Sequence, residues 1–274
     1  MEHMSQHGGM TGQTALIVLL AILPAVLLCL YLAAAFRLRK TAGWRLWRIA
    51  SFTLGTGLII TAIVSPVADW AHQDLRGHMV QHLLLGMFGP LGLVFGAPGT
   101  LLLRNLPASA ARRIMNFLKT PPVRFLIHPV TAALLDIGGM YLLYLTPLYN
   151  LTMAHPALFI FLHLHFVISG YLFTWSIAGP DPAPGRPGRA VRLVVLFLAT
   201  AAHGILGKLM FGYGYPQGTS ASLSEIQAAA QWMYYGGDLA ELLLIIAFFA
   251  MWFRQRSTLP DLFAEKRTSV ISQK

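Results

Sequence analysis

Arg76-Gly77-His78-Met79-Val80-Gln81-His82-Leu83-Leu84-Leu85-Gly86-Met87-Phe88-Gly89-Pro90-Leu91-Gly92-Leu93-Val94-Phe95-Gly96 carries no charged side chain after Arg76, and the next one along the chain is Arg104. A bilayer hydrocarbon core of roughly 30 Å takes ~20 helical residues to cross, so the run reads as a transmembrane helix. Pro90 lacks a backbone donor and predicts a kink within it; Gly96-Ala97-Pro98-Gly99 predicts its end.

Six more stretches have the length and apolarity to cross: 14–36, 47–64, 125–145, 156–178, 190–211 and 226–253. The fold class is therefore an all-α polytopic membrane protein, a bundle of seven transmembrane helices over residues 14–253. An arm, residues 1–13, precedes it and a tail, residues 254–274, follows. Composition agrees: 56% of residues are hydrophobic and 11% charged, against about 25% charged in soluble domains. The stretch from Thr14 is longer than the apolar region of a signal peptide. No Lys or Arg lies between Met1 and Gln13, so it reads as a retained first helix. The single cysteine, Cys29, excludes an intrachain disulfide and CxxC chemistry.

The formal net charge is +10, but its distribution excludes a nucleic-acid surface. Eighteen of the twenty Lys and Arg residues fall in alternate links and the tail. Arg37, Arg39, Lys40, Arg45 and Arg48 join the first two stretches; Arg104, Arg112, Arg113, Lys119 and Arg124 join the third to the fourth. Arg186, Arg189 and Arg192 join the fifth to the sixth, and five more lie from Arg254 onward. Only Arg76 and Lys208 belong to the other side. Cytoplasmic loops carry this excess, so the topology reads N-out and C-in, the basic clusters meeting anionic lipid. Residues 107–119 mix basic and apolar positions at helical spacing and predict a short interfacial helix.

The chemistry-bearing residues are the ten histidines. At 1.5 Å of rise per residue, His82 lies roughly 9 Å inside its helix, His163 roughly 10 Å and His203 roughly 12 Å from the same outer face. His78 stands one turn above His82 on one helix face. Imidazoles at one depth in lipid need a partner, and a shared metal ion is the simplest one. Met79 adjoins His78, and Met210 lies two turns from His203. Imidazole with thioether suits copper(I), and imidazole alone suits zinc. His165 is two residues from His163 and points elsewhere. Gln227, Gln231, Tyr234, Asp238 and Glu241 fall on one helical stripe, which predicts that Asp238 and Glu241 face the bundle interior, as a proton relay or as packing groups. The arm mixes Met and His as a copper-capturing tail would, and Asp69, His72 and Asp74 could pass an ion inward. Two other readings stay open: axial ligation of haem b by histidines on separate helices, and proton-coupled transport through Asp238 and Glu241. Nothing offers a nucleophile with its base, or a nucleotide loop, so no enzyme is expected.

Several motifs resemble the CtaG-like family of caa-type cytochrome c oxidase assembly factors. They are Ser65-Pro66, His78-Met79-Val80-Gln81-His82-Leu83-Leu84-Leu85 and Gly96-Ala97-Pro98. His163 with Gly170-Tyr171-Leu172-Phe173-Thr174-Trp175, His203-Gly204-Ile205-Leu206-Gly207 and the run from Trp232 to Asp238 extend the likeness to about residues 65–252. The resemblance implies a multi-pass protein of the bacterial plasma membrane that helps build the copper-containing oxidase. It implies copper delivery through His78, His82, His163 and His203, with oxidase subunits or other copper chaperones as partners. Two positions depart from the family pattern: Phe159 stands where many relatives carry a histidine, and Glu225-Ile226-Gln227 stands where relatives often have Asp-Gln.

Overall fold

The computed structural model describes the backbone of residues 3–64 and 66–271, and the side chains of residues 21–41, 43–64 and 66–253. The Met/His side chains of the arm, Ser65 and the tail's side chains lie outside the described residues.

Among the described residues every regular element is helical. Helices α1 (His3–Ala42) and α2 (Leu46–Ile63) are joined by a short turn, and α3 (Val67–Gln73) is a brief outer helix. The deciding stretch becomes α4 (Leu75–His82), a π-helical turn (Leu83–Phe88), α5 (Gly89–Phe95) and α6 (Pro98–Asn105), together spanning Leu75–Asn105. Then come α7 (Ala108–Leu118), α8 (Pro121–Leu126), α9 (Pro129–Leu145) and α10 (Leu148–Ala154). The chain closes with α11 (Pro156–Ala178), α12 (Arg189–Tyr213) and α13 (Leu223–Ile271).

Six of these segments are long and apolar enough to cross a membrane; α9 with α10, bent by 81°, makes a seventh if the pair is one span. Several boundaries differ from the sequence reading. The helix of the stretch read as the fourth span begins at Pro129 rather than near 125, because the Pro121-Pro122 pair starts a separate turn of helix and Pro129 starts another. The interfacial helix appears as α7, with no buried residue. The break before Pro98 is a left-handed turn at Ala97, φ 53°.

The third span is the most buried of the set; it packs against α2, α11 and α13. Its approach to α2 is backbone to backbone: a methyl on Gly92 would lie 2.6 Å from the Gly55 Cα, so only small residues fit there. The main core lies among α4, α9, α11, α12 and α13, around Met79, Met140, Tyr144, Leu206 and Met233. Large apolar side chains such as Leu134, Phe161, Phe197 and Ile246 face outward, as they must where the surroundings are lipid.

Candidate metal centre

Asp74 starts the helix that carries the histidine pair. Its carboxylate accepts the Arg76 backbone N–H at 2.7 Å and pairs with the Arg76 guanidinium. These bonds hold its carboxyl below the usual carboxylate range. One turn further, His78 and His82 are both buried. The ring of His78 meets Tyr149 edge-on at 5.1 Å and Tyr144 at 6.0 Å. His82 meets Phe166 at 5.0 Å and Tyr144 at 6.2 Å. The α9–α10 bend puts Tyr149 over His78.

His163 enters from α11. With His78, His82 and Thr152 it lines a cavity of about 20 Å³, otherwise walled by Leu, Phe and aliphatic surface. That volume suits one water or one ion. His163 is already engaged: its Nδ1 lies 2.7 Å from the Phe159 carbonyl and its Nε2 2.9 Å from Gln81 Oε1. Gln81 in turn donates to the Ala62 carbonyl at 2.8 Å, tying α2, α4 and α11 through one amide. His163 and Gln81 also border an apolar cleft of about 230 Å³ lined mainly by α1, α2 and α11, with His72 among its lining residues.

His203 on α12 is fully buried. Its Nδ1 lies 3.6 Å from Glu241 Oε1, an electrostatic approach rather than a hydrogen bond. Its ring rests on Gly237, where an added methyl would sit 2.5 Å from Nδ1 and 3.0 Å from Nε2. His82 is within electrostatic reach of both His163 and His203.

Both ring nitrogens of His78, His82 and His203 lack a hydrogen-bond partner, as does the Tyr144 hydroxyl. A buried polar group left unpaired costs ~1–3 kcal/mol, so so many in one place require an explanation. The arrangement is not a closed coordination sphere: among the described residues no group of three or more His, Cys, Asp or Glu side chains is placed to hold a metal ion.

The accessory residues fare differently. Met79 is buried in the core. His72 is exposed, its Nδ1 beside the Ala68 carbonyl at 2.7 Å. Glu241 is buried, but the expectation that Asp238 faces the interior is wrong; Asp238 is exposed. A three-residue step turns about 300°, so the two carboxylates stand about 60° apart. Gly237, Glu241 and Leu244 hold the inner face and Asp238 falls outside it. His165 bonds the Leu135 carbonyl of α9 at 3.0 Å, away from the cavity.

Sequence reasoning missed Asp136, buried in α9 and accepting a hydrogen bond from Ser169 at 2.9 Å. A lone carboxylate in an apolar run was the available signal.

The family model for the cytochrome c oxidase caa3 assembly factor (Caa3_CtaG) matches residues 29–255. The chain belongs to this family. It is a multi-pass protein of the bacterial inner membrane. It is 30% identical over 249 residues to an uncharacterised protein of Mycobacterium leprae, covering 82% of this chain and 37% of that protein. It is 30% identical over 250 residues to an uncharacterised protein of Mycobacterium bovis, covering 84% and 38%. The chain thus spans less than two-fifths of the length of these relatives. No solved structure matches.

Proposed function

We propose that this CtaG-like protein receives copper(I) at the outer side of the membrane and passes it to a cytochrome c oxidase subunit or another copper chaperone. The topology behind this reading is N-out and C-in with seven spans, resting on the asymmetry of Lys and Arg. The observation that carries the copper reading is the set of buried imidazoles without protein partners on His78, His82 and His203. The cavity between His78, His82 and His163 has room for one ion. Imidazole nitrogens in a largely apolar cavity fit a soft or borderline cation better than a hard one.

His78 and His82 are the primary ligands in this reading. His163 joins only by releasing Gln81, which makes it the exchangeable member of the set. An incomplete sphere suits a cargo site, because a carrier must surrender its ion. The exposed face carrying Lys208, Gln231 and Asp238 is where the client subunit packs: Asp238 lies roughly 22 Å along α13 from Leu223. A charge at that depth is expensive against lipid. The haem reading is not favoured, since a cavity sized for one water has no room for a porphyrin.

The test is metal stoichiometry. Protein purified in detergent is exposed to copper(I) in a weak chelating buffer, desalted and analysed for copper and zinc. Bound copper near one per chain is expected in the wild type and in His155→Ala, an exposed histidine. It is expected to be lost in His78→Ala/His82→Ala. Full retention by the double variant refutes the site.

A further inference from the structure

At the basic end of the bundle, where α12 starts several turns before His203, lies a cavity of about 680 Å³. Five arginines line it: Arg45 and Arg48 at the start of α2, Arg186 in the loop after α11, and Arg189 and Arg192 at the start of α12. The remaining wall includes Trp47 and, on α13, Phe248 and Met251.

Three of these guanidinium groups have structural tasks that leave them incomplete. Arg186 donates to the carbonyls of Gly179 at 2.7 Å and of Trp175 and Asp181 at 3.1 Å. Arg192 donates to the Ile177 carbonyl at 2.8 Å. Both therefore close the C-terminal end of α11, where a helix accumulates negative partial charge. Arg48 stacks over the Trp44 ring at 4.7 Å. The Nε of each of the three is buried without a partner.

Among the described residues the carboxylate closest in influence is Asp181. It is already committed, accepting Gly99 N at 2.8 Å and both Thr100 N and Thr100 Oγ1 at 2.6 Å. Burial, followed by repulsion from Arg192, pushes the Arg186 guanidinium down to about 10. Arg48, Arg186 and Arg192 thus keep donors that the described protein groups around them do not answer.

We propose that this cavity is a binding site for the phosphate head group of an anionic phospholipid. The arginine fork matches phosphate oxygens with paired N–H donors. Basic pockets between transmembrane helices are where such head groups lodge. The tryptophan and apolar walls favour a lipid over a free anion, since Trp47 marks the depth of the head groups and Phe248 and Met251 offer surface to acyl chains.

The experiment measures thermal unfolding of the full chain in detergent during titration with dioleoyl-phosphatidylglycerol. Parallel arms use dioleoyl-phosphatidylcholine and inorganic phosphate. The variant is Arg45→Gln/Arg48→Gln, chosen because Arg186 and Arg192 hold α11 together and their loss could unfold it. Arg112→Gln/Arg113→Gln on α7 removes equal charge outside the cavity. Phosphatidylglycerol is expected to raise the midpoint saturably, and phosphatidylcholine and phosphate to leave it unchanged. At about fivefold per arginine, Arg45→Gln/Arg48→Gln requires roughly 25-fold more lipid for half the effect. The α7 variant responds as wild type. Equal stabilisation by inorganic phosphate overturns the lipid assignment. An unsaturable response, or one equally weakened by the α7 substitutions, overturns the site itself.

Discussion

Replacing Gly237 by Ala tests whether the buried His203 ring occupies the place described. The new methyl would lie 2.5 Å from Nδ1 and 3.0 Å from Nε2, with Cε1 nearer still. Non-bonded carbon and its neighbours rest near 3.5–4.0 Å, so the shortfall is roughly 1 Å or more. Overpacking of this kind costs ~1–3 kcal/mol, and this site belongs at the upper end because the ring is fully buried. The three atoms nearest the added methyl all belong to the His203 ring. In a His203→Ala background the clash disappears, and Ala exceeds Gly in a helix by about 0.5–1 kcal/mol. The expected coupling between the two substitutions is therefore about 3–4 kcal/mol. The assay is equilibrium unfolding in mixed micelles for the four proteins of the cycle. If Gly237→Ala costs the same with and without the imidazole, the ring does not lie against Gly237. The link from α13 to the histidine site then fails.

Asp181→Asn weakens three hydrogen bonds at the start of α6 together with a favourable charge at a helix N-terminus, and a loss of about 2 kcal/mol in unfolding free energy is expected; a change under about 0.5 kcal/mol refutes the clasp. Asp74→Ala removes the cap of α4 and should cost ~1 kcal/mol. Because Arg76 holds the Asp74 carboxyl below its ordinary range, that stabilisation is full above the unfolded carboxyl range and is lost as pH falls through the lowered value. Wild type and Asp74→Ala should therefore converge in melting temperature in acid and separate toward neutrality. Asp238→Leu should leave or raise the stability of the isolated protein while lowering the yield of co-purified oxidase subunits from the native membrane; unchanged co-purification removes that face as the docking surface.

The spans were legible because hydrocarbon demands a length and an apolarity that few other environments impose. The proline punctuation was legible for the same reason, since a missing donor must be answered in lipid. Angular position was less so. Gln81 stood in plain view between two histidines, yet its bond to His163 depends on how α11 is rotated against α4. The stripe from Gln227 to Glu241 was read as one face, but a 60° spread was enough to put Asp238 outside and Glu241 inside. Asp136 lacked any patterned neighbour in sequence, because its partner Ser169 is contributed by another helix. Depth follows from counting residues; convergence of four side chains needs the packing of the helices that carry them.

The π-helical turn after His82 shows how backbone and site are joined. A proline in a helix clashes with the carbonyl four residues earlier, which for Pro90 is that of Gly86. The helix is widened to a π-helical turn over Leu83–Phe88, the segment that contains the Gly86 carbonyl. That carbonyl meets α11 at Gly170, where any side chain would strike it. The same turn leaves Gly86 beside His82, where an added methyl would sit 3.3 Å from the imidazole Cε1. Pro90, Gly86 and Gly170 thus form one steric unit, and its upper edge is the floor under His82. One local distortion thus carries both the glycine beside the imidazole and the carbonyl four residues before the proline. The motif from His78 to Pro90 is therefore better understood as one structural device than as a ligand pair followed by a kink.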